Sequence, residues 1–195
     1  MSYPTQLKIF IAVLLLAVVG GRFGCYYFQK HYDTYRRPWA YSRDPNQALL
    51  VGRWSGTVTD PDGVQHLVEM NILEPITDEE RWQRVWRKRS KRDRSSPTFF
   101  DGLVLLSTPG RRDSFELWGA LDKPDGHALD FQMRPIRGVY PPGFNLNHLS
   151  GIWTKDTLDL TVVFAWFRSD GSSYSDSADP RHNQKGHLIL RRFTR

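Results

Sequence analysis

From residue 50 onward one pattern recurs along the chain: a run of strand-forming residues, then a tight turn built on Pro, Gly or Asp. Residues 50–59 (LVGRWSGTVT) run into Asp60-Pro61-Asp62-Gly63 and on to 64–73 (VQHLVEMNIL), the order of a hairpin. Residues 99–108 pass through Pro109-Gly110-Arg111-Arg112-Asp113 into 114–122, and Lys123-Pro124-Asp125-Gly126 leads into 127–134. Residues 152–154 and 157–168 flank Lys155-Asp156, and 186–193 (GHLILRRF) form the last run. About eight strands with short antiparallel connections predict a mainly β domain, an up-and-down meander closing into a roughly eight-stranded barrel. Closure removes the sheet edges that would otherwise recruit other strands.

Alternation within the runs nominates the interior. Along 157–168, Leu158, Leu160, Val162, Phe164 and Trp166 share one face, against Asp159, Thr161, Val163, Ala165 and Phe167. Elsewhere Trp54, Val58, Phe115, Leu117, Leu129, Phe131 and Met133 are the inward candidates. An eight-stranded barrel is wide enough for side chains or for one small ligand. So many large side chains favour a filled interior.

Gly52-Arg53-Trp54, at the start of the first strand, resembles the G-x-W of the calycin group (lipocalins, fatty-acid-binding proteins and avidins). The resemblance covers residues 50–195 in architecture and the first strand in motif; the second lipocalin motif, T-D-Y, is absent. It implies a barrel in which Trp54 closes one end beneath an arginine of the last strand, Arg191 or its neighbour Arg192. Binding of a small apolar ligand is the function the resemblance brings with it.

The formal net charge of +6 is unevenly placed. Residues 1–49 carry a net +4 and residues 81–94 a net +7, which leaves −5 on the remainder. The body is mildly acidic, and the basic character belongs to two segments.

The first of these contains IFIAVLLLAVVGG, thirteen uncharged residues from Ile9 to Gly21, with apolar character resuming through Phe23, Tyr26, Tyr27 and Phe28. Thirteen helical residues cover about 20 Å, short of a hydrocarbon core of roughly 30 Å. Counted from Leu7 to Phe28 the stretch is long enough, with Arg22 snorkelling and the aromatics forming a belt. Residues 1–28 are therefore read as an N-terminal transmembrane anchor, a cleaved signal peptide ending near Gly20 and Gly21 being the alternative. Residues 29–49, polar and aromatic with Pro38 and Pro45, are read as a linker. The positive-inside rule, applied to Arg22, Lys30, Arg36 and Arg37, puts the barrel in the cytoplasm. A short hydrophobic segment ahead of a β-rich domain argues for export, and the extracytoplasmic, periplasmic side is the preferred reading.

The second basic segment, 77–96 (TDEERWQRVWRKRSKRDRSS), breaks the hairpin rhythm. Thr77 and Glu80 have capping-box spacing, and Asp78, Glu79 and Glu80 suit a helix N-terminus. Trp82, Val85, Trp86 and Arg89 follow i, i+3, i+4, i+7, while Arg84, Arg87, Lys88, Lys91 and Arg92 supply cations around them. A helix with this composition suits a membrane interface. It also suits an acidic partner protein, or a cap on the barrel with solvated charges. An acidic body without a recognised module argues against nucleic acid.

No catalytic constellation emerges. The single cysteine, Cys25, excludes an intramolecular disulfide framework and a CxxC motif. His182 and His187, near Asp176 and Asp179, fit no zinc spacing, and no phosphate or dinucleotide loop is present. No cofactor or metal is expected. The sequence reads as a non-catalytic, membrane-anchored accessory or interaction subunit, with the lipocalin-like carrier and an enzyme with an unrecognised site as alternatives.

Overall fold

The computed structural model describes Gly21, Gly24, Tyr32 and residues 34–44, 46–75, 96–136, 138–174 and 184–193. The anchor reading, apart from Gly21 and Gly24, and the basic segment 77–96, apart from Ser96, lie outside the described residues. Among the described residues no helix is long and apolar enough to cross a membrane.

Nine strands follow in order among the described residues: β1 (Gly52–Thr59), β2 (Gln65–Ile72), β3 (Phe99–Thr108), β4 (Arg111–Leu121), β5 (Ala128–Pro135), β6 (Gly143–Thr154), β7 (Thr157–Phe167), β8 (Ser173–Tyr174) and β9 (Lys185–Arg192). Each of β1 to β7 pairs antiparallel with the next, β7 pairs with β9, and β9 returns to β1. The result is a closed eight-stranded antiparallel barrel. The two-residue β8 is an extra, pairing Trp166 with Tyr174 at the far end of β7.

Turn chemistry explains the connections. In the first hairpin Asp60 Oδ1 accepts from Val64 N at 2.8 Å, Oδ2 meets His66 Nε2 at 2.9 Å, and Gly63 adopts a φ of 83°. Asp60 thus holds both sides of its own turn, as Asp does where backbone donors need a local acceptor. Pro109-Gly110 joins β3 to β4 in two residues, with Gly110 at φ 83°, a conformation a side chain would disfavour.

The interior is filled. Trp54, Val58, Phe115, Leu117, Leu129, Phe131 and Met133 are all buried, together with Phe100, Leu146, Leu149 and the β7 series Leu158, Leu160, Val162 and Phe164. The expected alternation then fails: Ala165 and Phe167 are buried and Trp166 is partly exposed. A register shift between Leu146 and His148 lies opposite this point, so the face of β7 read from sequence is corrected after Phe164. β6 also begins at Gly143, nine residues earlier than the run 152–154 predicted.

Residues 29–49 are read from sequence as a linker. Trp39 (2% exposed), Ala40 and Leu50 belong to the hydrophobic core. The described residues between Arg37 and Val51 form an arm packed across one barrel end.

Candidate interaction site

The start of β1, the end of β2, the start of β3, the β6–β7 turn and the end of β9 share the arm's end of the barrel. Here the ring of Trp39 meets Phe100 edge-on at 6.1 Å, and its Nε1 donates to the carbonyl of Pro97 at 2.8 Å. The Tyr41 hydroxyl donates to the carbonyl of Pro75 at 2.9 Å. Pro75 and Pro97 stand at the two feet of the basic segment, one on each side of it. A single stretch of arm is therefore bonded to both stems, and the two basic parts of the sequence enter the fold at the same end.

Trp54 is 1% exposed and donates Nε1 to the carbonyl of Leu50 at 2.9 Å. The arginine over it is Arg192, not Arg191: its guanidinium lies 4.4 Å from the centre of the Trp54 ring. Register gives the reason. Trp54 pairs with Arg192 and Ser55 with Arg191, and alternate residues of a strand face opposite sides. Arg191 is exposed on the outer wall. Arg192 also donates Nε to Asp156 Oδ1 at 2.7 Å, Nη1 to the carbonyl of Val51 at 3.0 Å and Nη2 to that of Leu49. One cation thereby ties the arm, the first strand, the last strand and the β6–β7 turn together.

The interaction residues read from sequence, Trp82, Arg84, Trp86, Arg87, Lys88, Arg89, Lys91 and Arg92, lie outside the described residues. What the structure places is their attachment, at Pro75 and Ser96 beside the arm. On the outer wall over β1–β4 a groove of about 400 Å³ is lined by Arg53, Glu69, Leu103, Leu105, Ile136 and Phe193. No sequence signal singled it out, because its members come from three strands, the β5–β6 loop and the residue after β9.

The opposite end is closed differently. Tyr140, in the β5–β6 loop, stacks on Phe167 with ring centres 4.0 Å apart and planes 14° from parallel. It also lies 6.3 Å from Phe115, and its hydroxyl donates to the carbonyl of Met133 at 2.7 Å. Burial raises its pKa above the ordinary tyrosine value, against a smaller lowering by Arg134.

Every described histidine has a structural partner. His66, His148 and His187 meet Asp60, Asp130 and Asp159 at 2.9, 3.2 and 2.6 Å, and His127 packs on Trp153. Among the described residues no group of three or more His, Cys, Asp or Glu could hold a metal. His187, one of the histidines flanking 183–186, thus turns to Asp159; His182, Asp176 and Asp179 lie outside the described residues.

Arm, clamp and wall define a closed, side-chain-filled antiparallel β-barrel with one end sealed by its own N-terminal segment. No family model matches the chain, and no curated protein matches it. Among solved structures it is similar to that of EF1p2_mFAP2b bound to DFHBI, with a TM-score of 0.47 and 16% identity over 74% of this chain and 94% of that one. It is also similar to a de novo designed fluorescence-activating β-barrel, with a TM-score of 0.39 and 13% identity over 73% and 93% of the two chains.

Proposed function

We propose that the protein is a non-catalytic, membrane-anchored accessory subunit whose arm end faces the bilayer. The observation that carries this reading is the pair of hydrogen bonds from Trp39 and Tyr41 to Pro97 and Pro75. They fix the chain leaving toward the apolar N-terminal stretch beside both stems of the basic segment. A domain tethered through residues 1–28 then presents Arg84, Arg87, Lys88, Arg89, Lys91 and Arg92 to the headgroups, with Trp82 and Trp86 at the interface. Each cation near an anionic surface contributes about 1 kcal/mol, which a tethered domain gains without a separate encounter. The domain sits on the extracytoplasmic side and holds a membrane-protein partner there. No nucleic acid, cofactor or metal is involved.

The test uses the full-length protein in liposomes. Tethered by its anchor, its basic segment is cross-linked to headgroup-labelled lipid in anionic and in neutral vesicles. The reading expects labelling in anionic vesicles that falls with salt and falls again when Arg84, Arg87, Lys88 and Arg89 are neutralised, with thermal stability unchanged. Equal labelling in neutral vesicles, or labelling indifferent to the four substitutions, overturns it. A pull-down in mild detergent tests the partner; recovery of the protein alone removes the accessory role.

A second reading, the carrier of a small apolar ligand, rests on the closed eight-stranded architecture, which is of a size to hold one small molecule. It requires the interior side chains to yield space. Native mass spectrometry of protein purified from membranes decides it: an apolar adduct of constant mass supports the carrier, and its absence removes it.

A further inference from the structure

We propose that the tyrosine end of the barrel is a binding slot for a small planar phenol, occupied in this structure by the protein's own Tyr140. This goes beyond the membrane-docking reading and does not depend on it. The slot has three walls. Phe167 stacks on the ring at 4.0 Å and 14°, the spacing and tilt of an aromatic sandwich rather than the edge-on packing found between Trp39 and Phe100. Phe115, fully buried at the start of the barrel interior, borders it at 6.3 Å. At the deep end the carbonyl of Met133 accepts the phenolic proton at 2.7 Å.

The occupant is held by a loop, not by a strand. Between the end of β5 and the start of β6 the chain makes Gly138 at φ 76°, then Pro141 and Pro142. Ile136 and Val139 of the same loop are 52% and 70% exposed, so its apolar side chains add little burial of their own. The loop's inward grip is Tyr140, with Ile136 N on the carbonyl of Ser114 at one side and Asn145 Nδ2 on the carbonyl of Pro141 at the other. Those two bonds flank the tyrosine and can hinge it without releasing either foot. A side chain that fills a flat apolar slot and ends on a buried acceptor defines the ligand that can replace it: a planar ring with a hydroxyl at its far end. Such a ligand competes with a tethered tyrosine, so its apparent affinity in the wild type is reduced by the fraction of time the loop is open.

The experiment uses the full chain in mild detergent, with p-cresol as the probe and 4-methylanisole as the same ring without the donor. Tyr140→Ala is expected to bind p-cresol about tenfold or more tightly than the wild type, and 4-methylanisole about tenfold less tightly than p-cresol, the ratio set by leaving a buried carbonyl unpaired. No gain in Tyr140→Ala, or equal affinity for the two probes, overturns the proposal. Should Tyr140→Ala fail to fold, hydrogen exchange of the wild type decides: saturating p-cresol is expected to speed exchange of amides 138–140 selectively. Unchanged exchange in that loop overturns it.

Discussion

The two ends of this barrel are both closed by aromatic side chains, yet by different means. At the arm end, Trp39 is bonded to the distant Pro97, and Trp54 lies under a guanidinium from the last strand that bonds two carbonyls and a carboxylate. At the other end, Tyr140 is delivered by a short local loop and makes one stack and one hydrogen bond. A closure assembled from remote segments opens only when much of the fold loosens, because each group is fixed by several others. One carried on a loop opens alone. The arm and the two flanks of the basic segment, Pro75 and Pro97, sit at the first kind of end, and the tyrosine plug at the second.

The largest expected effect tests the arm. Trp39→Ala should cost about 3–5 kcal/mol in urea denaturation, the range for deleting a buried aromatic. A loss below about 1 kcal/mol, the size of an ordinary surface change, breaks the claim that the arm belongs to the core. The clamp comes next: Arg192→Met should cost about 2 kcal/mol through the lost carbonyl and cation–π contacts, while Arg191→Met stays within about 0.5 kcal/mol. Equal losses erase the distinction between the two arginines.

Tyr140→Phe should cost about 1 kcal/mol at neutral pH. Its pH dependence has a definite sign. Partial burial raises the folded pKa of Tyr140 above the unfolded value of about 10, so the phenol's contribution is fully present below pH 10 and is lost as pH rises through the folded pKa. The stability gap between wild type and Tyr140→Phe should therefore narrow in alkali; a gap that stays constant removes the half-buried phenol from the account. The smallest effect is Val139→Ser, within about 0.5 kcal/mol by thermal denaturation. A larger loss means the loop grips the barrel through more than its tyrosine.

The hairpins were legible because their turns are written in residues with a fixed backbone purpose: Asp60 to Gly63, Pro109-Gly110 and Lys123 to Gly126. The barrel and most of its interior followed from alternation. β6 escaped because Gly143, Asn145 and Asn147 interrupt its apolar sequence and the register shifts between Leu146 and His148. The arm escaped for another reason: Trp39 and Leu50 are eleven positions apart in a polar, proline-bearing stretch, and no period joins them. Choosing between Arg191 and Arg192 required the cross-strand register, which depends on closure of the whole sheet. The basic segment was legible as composition, but the bonding of its flanks to the arm runs through two carbonyls, of Pro75 and Pro97, that carry no sequence signature.

The arm's place in the core sets a rule for anyone shortening this protein. A chain begun at residue 50, where the repeating pattern starts, would strip away Trp39, leave Phe100 open to water and take from Arg192 the Leu49 carbonyl it holds. The smallest fragment worth expressing without the apolar N-terminal stretch begins upstream of Arg37.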